Sequence, residues 1–430
     1  MSKNIHSSAR RAPETADYGA CVALDAIAID RHGAPLIGLA PLMRKAFAGE
    51  DLLPVGERLL KRAQTYPNDA HAYLDFSTVL QLTGNRDDAL AVQAEAIMLQ
   101  SHYTIAARHA APGLTLLVLM GPGDLMSNTP VEFLVENSDV TLELLYLRAD
   151  EDFPEEVPQH DVMLVAVAES QANQRLLERL VEYVSEWPRP VINRPERIRR
   201  LSRDGVSGAL RGLPGIEMPI TLRTGRGALN AVAKGELPIE TLLADGGFPI
   251  IVRPLGSQTG VHLEKIATPA ALAKYLAVVD GIQFFVSRFV DYRSADGMFR
   301  KYRIVLVDGV PYIGHYAISR RWMIHYPNAG MTESAEKRAE EAACMAAFEQ
   351  GFGPRHLAAL QAIQQRLGLP YLGVDCTETP SGELLVFEVD NAMIVHAMDP
   401  EDMFPYKAPA MRKVFRAFRE LLERSAHGAR

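Results

Sequence analysis

The chain has 430 residues, of which 48% are hydrophobic and 23% charged, and a formal net charge of −8. That composition suits about three domains with ordinary cores, and it argues against a broadly basic nucleic-acid-binding surface. The three cysteines, Cys21, Cys344 and Cys376, lack CxxC or Cys/His metal spacing. No apolar run reaches the ~18 residues of a membrane span, so a reducing cytoplasm is the expected location.

Residues 1–20 have no apolar signal core and read as a mobile tail. Residues 21–110 read as helical throughout, because apolar residues recur at three- and four-residue spacing. Tyr73, Leu80, Gly84, Ala89 and Ala96 resemble a tetratricopeptide helix-turn-helix signature, and Gly49 lies about one 34-residue repeat earlier. An unrelated helical bundle fits the same pattern. The expected role of this domain is a peptide or protein dock, or a homodimer contact.

The character changes at Pro112. LTLLVLM (114–120) reads as a buried strand ending in the turn-rich GPGD at Gly121–Asp124, first a loop and second a substrate contact. A helix in VEFLVENS, a strand in VTLELLYL, an apolar VMLVAVA (162–168), a helix over 171–186 and PVIN (190–193) follow. Strands alternating with helices imply a parallel α/β sheet over 112–192. From 193 onward the pattern becomes α+β. A basic helical stretch carries Arg197, Arg199, Arg200 and Arg203, and a final helix is expected near 408–424.

LGVDCTETPSGELLVFEVDN reads as a β-hairpin about TPSG. Alternation in its second strand puts Glu388 and Asp390 on one face. Folding the hairpin brings Asp375 approximately opposite 386–388. Three carboxylates gathered this way repel, and a hard divalent cation relieves the repulsion. A solvated acidic edge, or partners for nearby arginines, is the alternative.

From Asn193 to about Pro400 the order of segments resembles the ATP-grasp superfamily, particularly ribosomal-protein-modifying glutamate ligases and glutathione synthetases. GVD at Gly373–Asp375 and EVD at Glu388–Asp390 match its magnesium-holding elements, with Asp390 where the family has asparagine. VRPLGSQTGV matches its lid: Arg253 stands for the usual lysine, and Gly256, Ser257, Gln258, Thr259 and Gly260 form the phosphate loop. Arg288, Phe289 and Val290 occupy the adenine-reading hinge, with Arg288 replacing an acidic residue. Arg303 matches a phosphate-contacting arginine, and Lys301 stands where aspartate is common. Arg320, Arg321 and Asn328 fall where the substrate carboxylate and ATP bind. Arg203 falls near an earlier phosphate contact, although the residues do not choose it over its basic neighbours. For any single arginine a surface ion pair is the commoner reading, and it is the set in this order that favours function.

The resemblance implies a Rossmann-like pre-ATP-grasp domain (112–192) and an ATP-grasp domain (193–430) with a lid over about 200–290, while the tetratricopeptide-like helical domain (21–110) has no counterpart in those relatives. It implies ATP and Mg2+ as cofactors, with Arg303, Arg320 and Arg321 acting on an acyl phosphate. The expected reaction joins an amino-acid, peptide or small carboxylate substrate to an amine acceptor. A kinase on the same fold, or a non-catalytic nucleotide-binding docking protein, are the alternatives. No nucleic acid or membrane partner is expected.

Overall fold

A computed structural model describes residues 29–109, 113–257 and 260–428. The 1–20 tail, Cys21, Gln258 and Thr259 lie outside the described residues.

Four helices come first: α1 (Leu39–Phe47), α2 (Leu53–Thr65), α3 (Ala70–Leu82) and α4 (Arg86–Leu99). Asp69 caps α3 by accepting from Ala72 N at 3.2 Å, satisfying a donor the helix cannot. Gly84 turns α3 into α4 at φ +86°, a left-handed backbone that glycine adopts without Cβ strain. Ala89 and Ala96 are fully buried. The expectation of helix through residue 110 fails at its end, where β1 (His102–Ile105) is a strand. Four residues are too few to carry a period that separates strand from helix. Tyr103 fixes the segment from the core: it is fully buried, and its hydroxyl donates to Ala96 O at 2.9 Å.

Next come β2 (Leu114–Met120), α5 (Val131–Leu134), β3 (Val140–Tyr146), β4 (Val162–Val165), α6 (Gln174–Tyr183) and β5 (Val191–Ile192). The sheet order is β1-β3-β2-β4-β5. β1 is antiparallel to β3, and the other pairs are parallel. A parallel sheet covered on both faces needs continuous apolar strands, which is what LTLLVLM and VMLV supply. Leu176, Leu177 and Leu180 of α6 pack in one cluster with Leu117 and Val165. The helix expected in VEFLVENS is only the single turn α5.

The basic stretch breaks into α7 (Pro195–Ile198) and α8 (Arg203–Leu210), followed by β6 (Ile216–Glu217). Then β7 (Thr221–Gly225), α9 (Arg226–Ala233), β8 (Ile250–Pro254), β9 (Glu264–Ile266), α10 (Pro269–Val278) and β10 (Gln283–Arg288) form a small α+β unit. Its sheet runs β7-β10-β8-β9, all antiparallel. Leu229, Ile250, Leu272 and Phe284 form its own core.

The last part holds β11 (Phe299–Val307), β12 (Val310–Ser319), α11 (Ala335–Ala346), α12 (Phe352–Leu367), β13 (Tyr371–Glu378), β14 (Leu384–Asp390) and α13 (Lys407–Gly428). The third sheet has the order β12-β11-β13-β14-β6. Asp308 and Gly309, at φ 50° and 79°, make the two-residue turn that a right-twisted hairpin requires. At TPSG the chain closes with Gly382 N donating to Thr379 O at 2.9 Å. On α13, Val414, Phe415, Phe418, Leu421 and Leu422 are buried, a three- and four-spaced stripe. They cluster with Leu116 and Val118 of the first sheet and Val305 of the third. Phe418 meets the Tyr371 ring edge-on at 5.2 Å; burying such a side chain contributes about 2–3 kcal/mol. The C-terminal helix therefore joins the two large sheets. No helix among the described residues is long and apolar enough to cross a membrane.

Candidate active site

One row of register partners runs across the third sheet. His315 faces Arg303, Arg303 faces Asp375, and Asp375 faces Glu388. Register partners in antiparallel strands share a face, so β12, β11, β13 and β14 each contribute one polar side chain to a single line. Lys301 and Asp390 flank this row, two residues along their strands. Gly373 lies opposite Asp390. A Cβ there would sit 2.6 Å from Met393 Sδ, so glycine is required where the chain after β14 folds back over β13.

Asp375 is 3% exposed. Its oxygens accept from Lys301 Nζ at 2.8 Å and from Arg303 Nε at 2.8 Å and Nη2 at 3.0 Å. Burial pushes its pKa up, but the two cations outweigh burial and hold the carboxyl well below the usual carboxylate range. Glu388 pairs instead with Arg203 Nη2. Asp390 accepts from Ala392 N at 2.9 Å. Burial and the neighbouring Glu388 charge push Asp390 up to about 7. Among the described residues no three His, Cys, Asp or Glu side chains are grouped so as to hold a metal ion. The three carboxylates expected to hold magnesium thus share a face, but Asp375 is committed to two cations.

Arg253 lies at the end of β8, 6% exposed. It donates to Ser257 Oγ at 3.0 Å and to Ser257 O. Burial and the nearby Arg203 lower its pKa to about 10. Gly256 and Gly260 both have left-handed backbones, at φ 80° and 77°, so the turn here depends on glycine. Of the basic stretch, Arg203 is the residue that reaches Glu388, whereas Arg199 pairs with Glu178 at 2.6 Å.

In the expected hinge, the Arg288 guanidinium is occupied by Asp245 at 3.0 Å and by Glu217, while the adenine contact expected of this strand is one of its backbone. Lys265 Nζ lies 3.5 Å from the centre of the Phe289 ring, and Phe289 meets Trp322 edge-on at 5.7 Å. Val290 packs in the same cluster.

Arg320 and Arg321 are exposed beyond β12. The Asn328 side chain accepts from His325 N at 3.0 Å and so caps its own turn. A buried network moors this loop: Tyr326 and Tyr406 both donate to Glu341 Oε2 at 2.8 Å. His315 lies against Tyr326, ring centres 4.6 Å apart, with no hydrogen-bond partner for Nε2. Burial and Arg303 hold its pKa well below the usual histidine range, and His325 is lowered in the same sense by burial and Lys301.

Two groups escaped the sequence reading. Asn391 is fully buried; its side-chain amide donates to Val167 O at 3.2 Å, and its backbone carbonyl accepts from Thr129 Oγ1 at 2.9 Å. It fastens the end of β14 to the carboxyl end of the parallel sheet. Glu169, just beyond that fastening, lies near Arg223, Asp204 and Arg203, with burial raising its pKa. Asn391 follows the strand, so alternation could not orient it, although its place after EVD was a signal. GPGD is closed by side-chain amides: Gln93 bonds both ways with Gly123, at 2.7 and 2.9 Å, and Asn128 likewise with Gly121, both at 2.8 Å. The backbone groups of these two glycines are thereby spent internally.

No family model matches the chain, and no curated protein matches it. Similar solved structures include the VanG D-Ala:D-Ser ligase from Enterococcus faecalis, at 15% identity over 72% of this chain and 99% of that one, TM-score 0.45. A RimK domain protein ATP-grasp from Sphaerobacter thermophilus DSM 20745 matches at 17% identity over 70% and 98%, TM-score 0.39. The D-alanine-D-alanine ligase from Coxiella burnetii matches at 13% identity over 74% and 95%, TM-score 0.46.

Proposed function

We propose that this chain is an ATP-dependent carboxylate-amine ligase of the ATP-grasp type, releasing ADP and phosphate. One observation carries the reading: the face joining Arg303, Lys301, Asp375, Glu388 and Asp390 is met by Arg203, which reaches Glu388, with Arg253 near enough to interact with the charges of both. That arrangement of cationic and anionic groups supports a site for a nucleotide's phosphates and a metal.

The donor set fits magnesium through two carboxylates. Asp390 is half-buried, repelled by Glu388, and hydrogen-bonded only to a backbone amide among the described residues. Magnesium commonly takes one or two carboxylates and completes its shell with phosphates and water. Glu388 and Asp390 would hold it. Asp375, first expected as a third ligand, acts in this reading as the anchor of Arg303 and Lys301. Bound magnesium would supply charge neutralisation at the β- and γ-phosphates.

The chain's own residues do the rest by position and charge. Arg253 and the 256–260 loop, with Gln258 and Thr259 in it, hold phosphate oxygens through side-chain and backbone donors. Phe289 and Val290 wall the adenine. The substrate carboxylate attacks the γ-phosphate, giving an acyl phosphate and ADP; an amine then displaces phosphate from the acyl carbon. Arg303, with Arg320 or Arg321, stabilises the acyl phosphate's oxygens. Asp375 keeps Arg303 aimed across the sheet. The N-terminal domain and its tetratricopeptide-like pairing remain part of the proposal, as does a cytoplasmic setting.

Titration calorimetry with Mg-ATP tests the nucleotide site; no heat at millimolar nucleotide refutes the reading. Hydroxylamine added with amino acids and dipeptides tests the chemistry. A hydroxamate product marks an acyl phosphate, and ADP release without one favours a kinase.

A further inference from the structure

The segment Asn391–Asp399 leaves β14 and has no helix or strand of its own. Its path is set by what grips it. From the site side, Arg303 Nη1 donates to Ile394 O at 3.3 Å. From the other side comes α1 of the N-terminal helices. Arg44 Nη1 donates to Ala397 O at 2.9 Å, while its Nε donates to Glu136 Oε1 at 2.7 Å. The Phe47 ring lies 5.3 Å from the His396 ring, centre to centre, and Met43, Phe133 and Met398 share a cluster. Burial, with Lys407, Arg303 and Arg44 nearby, lowers His396 to about 4. Its imidazole is therefore neutral at neutral pH and packs as a flat, weakly polar plate from the segment against Phe47 of α1.

We infer that Arg44 is a positioning residue for the ligase reaction: by holding the Ala397 carbonyl it fixes the segment whose Ile394 carbonyl orients Arg303. This rests on the ligase reading above. Ala397 and Ile394 are three residues apart, about 10 Å of extended chain, so slack at one end reaches the other. Glu136, on the same guanidinium, sets the angle at which Arg44 meets the segment. The N-terminal helices thereby buttress the reaction centre, whatever else they bind.

A catalytic group displaced by 1 Å loses roughly 10²-fold in rate, and a displacement of a fraction of that gives about tenfold. The full chain serves as the test, as wild type and as Arg44→Met, Arg44→Lys and Glu136→Gln. The readouts are Mg-ATP calorimetry, ADP release with Mg-ATP and an equimolar mixture of the twenty amino acids, and amide exchange over 391–399. Arg44→Met should lower kcat about tenfold, leave KM for ATP within twofold, and speed exchange at Ala392 and Met398. Arg44→Lys, whose single ammonium serves either Ala397 O or Glu136, should fall between Met and wild type. Glu136→Gln keeps the Ala397 bond and should stay within threefold of wild type. Unchanged kcat in Arg44→Met, or a change in KM alone, overturns the inference. If Arg44→Met does not fold, kcat and exchange in Arg44→Lys equal to wild type overturn it. A wild-type chain that binds no Mg-ATP or releases no ADP refutes the ligase reading, and the inference with it.

Discussion

Replacing Asp375 by Asn separates two roles open to this carboxylate. As an anchor it holds two cations in a site where it is itself 3% exposed, through three bonds of 2.8, 2.8 and 3.0 Å. Removing one partner of a buried ion pair costs about 3–5 kcal/mol, because the remaining charge is left uncompensated. Asn keeps one acceptor oxygen, so about 3 kcal/mol of loss is expected. In a domain of about 200 residues each kcal/mol moves Tm by roughly 2–4 °C, which gives a fall of roughly 6–12 °C. The assay is thermal unfolding by circular dichroism at pH 7.5 without divalent metal. The sign with pH follows from the lowered folded-state pKa of Asp375. Its contribution is fully present above the unfolded value of about 3.9 and is lost as pH falls through the folded value. The gap between wild type and variant should therefore be full at pH 7.5 and shrink below about pH 4. A carboxylate that chiefly repels its neighbours until metal arrives would behave oppositely, and its neutralisation would raise Tm. A Tm raised or unchanged within about 2 °C, where roughly 6 °C is the smallest fall expected, refutes the anchor role.

Glu388→Gln should abolish turnover while moving stability by no more than about 1 kcal/mol, because its pair with Arg203 is partly exposed and such pairs contribute little; ADP release and thermal unfolding measured together check this. Arg253→Lys keeps the charge but loses the fork that reaches both Ser257 Oγ and its carbonyl. KM for ATP should rise roughly tenfold with kcat within about threefold, read from steady-state kinetics. Burial raises Asp75 and Glu132, beside the start of α1, to about 7. A carboxyl so raised binds its proton more tightly folded than unfolded, so its contribution to stability falls as pH rises from about 4 to 7 and is flat above. Asp75→Asn should therefore gain stability relative to wild type between pH 5 and pH 8; denaturant unfolding at both pH values measures the difference, and a pH-independent difference would count against a raised Asp75.

Much of the scaffold was legible because its signals are local. LTLLVLM and VMLV are continuous apolar runs, and only a doubly covered strand needs such a run. The TPSG turn set the pairing of β13 with β14 and put Asp375 approximately opposite 386–388, but a register shift between Asp375 and Cys376, which counting could not show, makes Glu388 its partner. HYTI gave no such signal: β1 is a strand because Tyr103 is buried beside Ala96 and because β3 offers a free edge. The single turn of α5 and the broken basic helix are similar cases, in which packing overrides a helical spacing. The partners of the charged residues were least legible. The order of segments puts Arg288 at the hinge, but it does not name Asp245 and Glu217, 43 and 71 residues earlier in the chain, as the partners of its guanidinium.

The sequence by itself determined which residue types come in which order: GVD before EVD, a glycine-rich turn after Arg253, an arginine two residues into KYRIVLV. Alternation along a strand then fixed which of them share a face, because that rule needs nothing beyond the strand. Only the tertiary structure decided which opposite charges meet. Asp375 went to Lys301 and Arg303, Glu388 to Arg203, and Asp390 to no cation among the described residues. It also decided that Arg44, from the first described helix, closes over the segment after β14. The reason is physical. A side-chain period is written in about a dozen neighbouring residues, whereas these ion pairs depend on where the long stretches of chain between their partners, 72 to 185 residues apart, have gone.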